Sequence, residues 1–281
     1  QYSFGKFCIE SAKKIINEYP ELRGFFLDCF RHYEIDFAHD DGVTVVNHKP
    51  AYSINFSYID VNKTIKEIMN KKDLCQFANK PQTVQIMRHV DAMMLEGHGD
   101  RFEEKYFWSA ISMPIIFLFG HGLCSLDENY RRAVLHGCFP RIPKSDSVSA
   151  ADIKQLEQYL PLYEQFKTRV FCFEPDPVRV PKTSRVKLFT VGKDYVAGII
   201  KTNVDSGETM KYKGVPTGAF RIREAHNVSR ALVLYPGESA PEQVPFEFDG
   251  TFIRVPMARY NNCAVVRLVV TGKSKDRKSV V

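Results

Sequence analysis

Apolar positions along residues 1–169 follow two alternating rhythms. Short runs in which nearly every position is apolar, as in a strand buried on both faces, alternate with longer stretches in which apolar side chains return every three or four positions, as on one face of a helix. Residues 4–19 carry Phe4, Phe7, Cys8, Ile15 and Ile16 near one helical face, and Pro20 closes the stretch. Residues 23–30 (RGFFLDCF) read as a buried strand, followed by a long loop over 32–53. Ile59, Ile65, Ile68 and Met69 predict a helix over 58–71. A strand over 73–78, a short helix over 83–89 and a strand over 91–96 come next. A helix over 103–113, with Phe107 and Trp108 in its core, then precedes a strand over 114–120. A helix over 128–136 and a short strand over 137–142 lead to a long helix over 150–169 with Ile153, Leu156, Leu160 and Tyr163 on one face.

Strand–helix alternation of this kind implies right-handed crossovers and a parallel sheet. A doubly wound nucleotide fold should show a glycine-rich phosphate turn after a strand. Here Gly97-His98-Gly99 is followed by Asp100 and Glu103, which would repel phosphate. Polar residues instead close successive strands: Asp28, Asn79 with Lys80, Glu96, and His121. In a (β/α)8 barrel those ends converge on one face and build the active site. The expected fold class is therefore α/β, with residues 1–169 forming part of a (β/α)8 TIM barrel (about strands 4–8) and the first strands lying upstream of Gln1. Such a part-barrel on its own is expected to be inactive. Residues 170–272 lose the long helical pattern. Strand-like segments over 185–188, 195–202, 231–235, 251–255 and 263–270, separated by turn signals such as Asp249-Gly250, predict an antiparallel β-sandwich.

Composition narrows the class. Hydrophobic residues are 44% and charged residues 26% of the 281, as in an ordinary globular chain. No apolar run approaches the roughly 18 residues of a membrane helix, so no membrane partner is expected. The net charge is +6, but the tail KSKDRKSVV holds Lys273, Lys275, Arg277 and Lys278 against Asp276, half of that excess. No basic stripe with interleaved aromatics remains, which argues against a nucleic-acid partner. The DRKSVV ending resembles one reading frame of a sequencing adapter, so residues 273–281 are expected to be foreign to the fold. Seven cysteines, odd in number and without a CxxC pair, are expected to be buried free thiols rather than a disulfide or zinc framework.

The chemistry concentrates in carboxylates at strand ends. Asp28 ends the run Gly24-Phe25-Phe26-Leu27, and Glu96 ends Met93-Met94-Leu95 and is followed by Gly97. The two lie two strand positions apart, with the strand over 73–78 between them, so both reach one barrel mouth. Paired carboxylates around a scissile bond are what glycoside hydrolysis requires. The structural alternatives are Asp28 paired with Arg31, and Glu96 paired with Lys80 or Arg101. The stretch 36–50 (DFAHDDGVTVVNHKP) supplies Asp36, His39, Asp40, Asp41, Asn47, His48 and Lys49, polar groups of the kind that share sugar hydroxyls, near Phe37, Tyr52 and Phe56 as stacking faces. Asp40-Asp41-Gly42 is equally a good turn. The candidate substrate contacts are His39, Asp40, Asp41, Asn47, Lys49, Asn79, Lys80, His98 and His121. His39, His98 and His121 could alternatively hold a metal with Asp40 or Asp41, but no HxH or HExxH spacing supports one. No metal or other cofactor is expected.

Together the segment around Asp28, the FAHDDG stretch, the FANKP strand end, DAMMLEGHGD and the terminal β domain resemble the retaining α-glycosidase barrels of the melibiase (α-galactosidase) clan. That resemblance implies an Asp nucleophile ending the fourth barrel strand, matched by Asp28, and an acid/base carboxylate ending the sixth, matched by Glu96. It implies double displacement on a carbohydrate substrate. Two departures stand out: Phe26-Leu27-Asp28 replaces the clan's Lys-x-Asp, and Glu96 replaces its usual Asp. The rival readings are a metal-dependent barrel hydrolase and a carbohydrate-binding barrel without catalysis.

Overall fold

The computed structural model describes residues 4–28, 34–79, 84–97, 113–119, 125–140, 149–174, 177–181, 183–201, 211–212 and 214–272. They divide into two compact units, one holding the described residues up to 96 and the other Gly97 and those from 113 onward.

The first unit is built on parallel strands covered by helices. Helix α1 (Phe4–Glu18) precedes strand β1 (Gly24–Leu27). Helix α2 (Ile54–Asn70) leads to β5 (Cys75–Asn79), and the short α3 (Val84–Met87) to β6 (Ala92–Gly97). β5 lies between β1 and β6 and pairs with both in parallel. Ala12 and Ile16 of α1 and Ile65 and Met69 of α2 form a buried cluster, and Phe25 of β1 packs against it, so one face of the sheet is turned to the helices. On the same face Gln76 of β5 is fully buried, and its Nε2 donates to Oδ1 of Asn62 in α2 at 3.0 Å. That link satisfies part of a polar pair within an apolar layer. At the opening edge of β5, Asp91 accepts from the Gln76 backbone N–H at 2.7 Å and pairs with Lys66.

The expected loop over 32–53 is instead a small antiparallel sheet. β2 (Ile35–Asp36), β3 (Thr44–Val46) and β4 (Lys49–Ser53) are ordered β2-β4-β3. Asn47 and His48 have φ of 51° and 62°, and Val46 faces Lys49. This is the two-residue hairpin turn with both central residues left-handed. No strand here exceeds five residues, too short for the alternation to show in the sequence.

In the second unit, β7 (Ile115–Phe119) pairs in parallel with β8 (Phe139–Pro140). Helix α4 (Leu126–His136) connects them, with Ser125 as N-cap accepting from the Glu128 N–H and Gly137 in the left-handed conformation as C-cap. α5 (Ala150–Glu164) starts with a reciprocal capping box between Ser149 and Asp152 and carries Pro161. The remaining strands form two antiparallel sheets. The larger is ordered β16-β15-β19-β12-β11-β9, from β16 (Glu242–Val244), β15 (Val228–Leu234), β19 (Cys263–Val270), β12 (Asp194–Lys201), β11 (Ser184–Val191) and β9 (Arg169–Phe171). The smaller is ordered β10-β14-β18-β17, from β10 (Val178–Arg179), β14 (Val215–Phe220), β18 (Ile253–Pro256) and β17 (Glu247–Phe248), with β13 (Lys211–Tyr212) on β14. Leu188, Ala197, Val233 and Val266 of the larger sheet and Phe220 and Val255 of the smaller share one buried core. α4 rests directly on β12: a Cβ on Gly198 would sit 2.3 Å from the Val134 carbonyl oxygen.

Several sequence expectations are corrected. The buried face of α5 is Leu156, Tyr159, Leu162 and Tyr163, while Ile153 and Leu160 are about half exposed (48% and 47%). Tyr159 and Tyr163 are buried because their hydroxyls find acceptors, Asp127 Oδ1 at 2.5 Å and the Tyr130 carbonyl at 3.0 Å. On α1, Phe4 and Phe7 are exposed and the core face is Ala12 and Ile16. Among the described cysteines, Cys138, Cys172 and Cys263 are buried, but Cys75 is exposed and Cys8 only half-buried. No helix of the described residues is long and apolar enough to cross a membrane. Phe107, Trp108 and the tail 273–281 lie outside the described residues.

Candidate functional site

The site rests on the closing ends of β1, β5 and β6. Register fixes its geometry. Phe26 pairs with Phe77 and Leu27 with Ala78, so positions 28 and 79 form the next rung. Side chains directly across a parallel pair share a face, and successive rungs alternate faces. Phe25 belongs to the helix-covered face, so Phe26 and Phe77 belong to the opposite one, where their rings lie 5.2 Å apart. Asp28 and Asn79 stand one rung further on that same face. Asn79 is buried, at 4% exposure, and its Nδ2 donates to Asp28 Oδ1 at 2.8 Å. Asp28 itself is exposed. A carboxylate thus stands accessible at the end of an apolar strand, gripped from the side by a neutral donor.

Asn79 pairs with Met94 of β6. Glu96 lies within β6, one residue before its end.

The candidates over 36–50 are held in the small sheet. Asp41 organises it: Oδ1 accepts from the N–H groups of Val43 (3.0 Å) and Thr44 (2.7 Å), and Oδ2 from the Thr44 hydroxyl (2.7 Å) and the Ser53 N–H (2.8 Å). Desolvation opposes its ionisation, but the donors from Ser53, Thr44 and Val43 outweigh it and hold the carboxyl well below the usual range. Asp40 accepts from the Gly42 N–H at 2.8 Å, so Asp40-Asp41-Gly42 forms the turn that was its structural alternative. Asn47 sits in the hairpin turn and Lys49, exposed, opens β4. His39 is exposed, with Nδ1 2.6 Å from Asp36 Oδ2, and this bond is the largest of the effects that lower the Asp36 carboxyl. Asp36 is thus the partner that orients His39, a role invisible in the sequence because it depends on the strand pairing that turns the chain back at residue 36. Lys80, His98 and His121 lie outside the described residues, as do Arg31 and Arg101. Among the described residues no three His, Cys, Asp or Glu side chains are grouped as metal ligands.

No known protein family matches the sequence, and no curated protein matches it. Solved structures do match in fold. A cycloisomaltooligosaccharide glucanotransferase from Paenibacillus sp., complexed with cycloisomaltoheptaose, aligns over 94% of this chain and 65% of its own, with a TM-score of 0.61 and 7% identity. A noncanonic maltogenic α-amylase, AmyB, from Thermotoga neapolitana aligns over 95% of this chain and 66% of its own, with a TM-score of 0.51 and 7% identity. The chain spans just under two thirds of the length of each. The likeness shows that its fold is one used by glycoside hydrolases.

Proposed function

We propose that this chain carries the catalytic face of a retaining glycoside hydrolase acting on oligo- or polysaccharides, with Asp28 as nucleophile and Glu96 as acid/base. The supporting observation is the Asp28–Asn79 rung: an exposed carboxylate, hydrogen-bonded at 2.8 Å, at the closing end of parallel strands. In barrel enzymes that end of the strands carries the chemistry. In this reading β1, β5, β6, β7 and β8 are strands four to eight of a (β/α)8 barrel of the melibiase-like kind, and the two antiparallel sheets are its β-sandwich. The fold neighbours' names, a glucanotransferase for cycloisomaltooligosaccharides and a maltogenic amylase, favour α-linked glucose units as substrate.

The chemistry runs in two displacements. An Asp28 oxygen forms a bond to the anomeric carbon while the glycosidic C–O bond breaks, and the leaving oxygen takes the proton of Glu96. The Glu96 carboxylate then removes a proton from water, whose oxygen attacks the anomeric carbon, and the bond to Asp28 breaks with its electron pair returning to the carboxylate. His39, oriented by Asp36, and Lys49 are exposed donors suited to hydroxyl groups. The carboxylates of Asp40 and Asp41 are engaged in the turn and serve mainly to shape it. Lys80, His98 and His121 complete the proposed substrate contacts.

The test compares this chain with Asp28→Asn on 4-nitrophenyl α-glucoside and α-galactoside, together with calorimetric binding of isomalto- and malto-oligosaccharides. Turnover that disappears in Asp28→Asn, with binding kept, supports the reading. Turnover unchanged in Asp28→Asn contradicts it, and binding without turnover in either protein fits both the inactive part-barrel expected from the sequence and a carbohydrate-binding barrel.

A further inference from the structure

We infer that Asn79 is the positioning residue of the proposed nucleophile, fixing the Asp28 carboxylate for attack, rather than a contact for sugar. The inference rests on the reading of Asp28 as nucleophile and adds to it the device that holds the group in place.

Three observations carry it. First, Asn79 is 4% exposed, so its amide does not meet a ligand in solvent. Second, its Nδ2 donates to Asp28 Oδ1 at 2.8 Å from the neighbouring rung of the same sheet face. An N–H directed at a carboxylate is a charge-assisted bond, stronger and more directional than a neutral one. With Oδ1 fixed and the carbon skeleton held by β1, the position of Oδ2 follows. Third, the Asn79 Oδ1 has no hydrogen-bond partner among the described residues, although the atom is fully buried. A buried acceptor left in that state is unfavourable. An apolar residue would suit a purely structural position better, between Ala78 and the chain beyond β5. An amide is useful here because it donates to a carboxylate without adding charge: lysine or arginine would neutralise a nucleophile, and a second carboxylate would repel it. The central place of β5 between β1 and β6 makes this support rigid, since Asn79 is itself paired with Met94.

The consequence is a separation of effects. Removing the Asn79 amide should slow bond formation at Asp28 and leave ligand binding alone. The measurement is inactivation of the 281-residue chain by an epi-cyclophellitol aziridine of D-gluco configuration, whose ring-opened carbon becomes an ester of the attacking carboxylate while the aziridine nitrogen takes up a proton. Intact-mass and peptide mass spectrometry give the labelled residue, the limiting rate and the half-saturating concentration. The parent chain is expected to label at Asp28. Asn79→Ala is expected to lower the limiting rate about 10- to 100-fold, the loss of one hydrogen bond to a charged group, with half-saturation unchanged within about twofold. Asn79→Asp, equal in size but repulsive towards Asp28, should be at least as slow. Asn79→Leu should be slow while melting no lower than Asn79→Ala.

Folded Asn79→Ala and Asn79→Asp that label at the parent rate overturn the inference and leave the nucleophile standing. Slower labelling through weaker half-saturation alone makes Asn79 a ligand contact, and loss of the folded circular-dichroism signal in all three variants makes it a packing residue. Either result overturns the inference. A parent chain labelled elsewhere than Asp28, or not at all, removes the nucleophile reading and the inference with it.

Discussion

Asp28 stands one residue past a four-residue apolar strand, and Gly24 opens that strand. The pairing between them depends on Gly24 as much as on the apolar side chains. A Cβ at position 24 would fall 1.9 Å from the Cys75 carbonyl oxygen, a backbone atom that cannot swing away. Gly24→Ala is therefore expected to force β1 off β5 and to lower stability by roughly 3 kcal/mol or more, the range reached when backbone contacts are broken. Urea titration followed by circular dichroism measures it, and a variant as stable as the parent would show that β1 does not lie this close to β5. The place of Asp28 at the end of an apolar strand was legible in the sequence. A carboxylate ending GFFL stands out because nothing in an apolar run satisfies it, and that contrast led to Asp28. The bond from Asn79 was not legible, because it depends on the register that sets Leu27 across from Ala78.

At the scale of elements, the small sheet β2-β4-β3 hangs on one carboxylate. Asp41 receives four hydrogen bonds from Val43, Thr44 and Ser53, which tie its two ends together. Its carboxyl is held well below the usual range, so by linkage its contribution is fully present above the unfolded pKa near 3.9 and is lost as pH falls through the lower folded value. Asp41→Asn is expected to speed hydrogen exchange at the Val43, Thr44 and Ser53 amides about tenfold at pH 6, a loss consistent with weakening one hydrogen bond to charge. Unchanged protection there would mean that strand pairing alone holds the sheet. This element escaped the sequence pattern because two-, three- and five-residue strands give too few alternations, and its Asn47-His48 turn lacks the glycine that usually announces a hairpin. The face of α5 was half right: Leu156 and Tyr163 are buried as their spacing predicts, but Ile153 and Leu160 are not, and packing chose Tyr159 and Leu162 in their place, with the Tyr159 hydroxyl bonded to Asp127.

At the scale of the whole molecule, the change from parallel to antiparallel pairing, which begins with β9 at Arg169, was visible in the change of rhythm near residue 170, while the division into compact units after residue 96 was not. How the parallel strands pair was not visible, because pairing joins strands far apart in sequence. Stability of the whole chain should carry the mark of one buried base. His136, at the end of α4, is 4% exposed. Burial, and after it the charges of Lys187, Arg185, Arg132 and Arg169, hold its imidazole well below the ordinary value of 6.5. The unfolded chain then binds a proton near pH 6.5 that the folded chain refuses, so stability is full above that pH and falls as pH drops towards the lower folded value. The expected slope is about 1.4 kcal/mol per pH unit below about pH 6. His136→Gln should remove that slope in denaturant titrations between pH 5 and 7, and an unchanged slope would show that the base titrates freely in the fold.

The central claim is that Asp28 and Glu96 face one substrate from two sides. The separation of their carboxyl groups, measured in a crystal structure of this chain with an isomalto- or malto-oligosaccharide, tests it most directly. Roughly 5–5.5 Å, with the sugar ring between the two groups, is the predicted result for a retaining enzyme. Carboxyl groups on opposite faces of the sheet, or so far apart that no single ring reaches both, would contradict it.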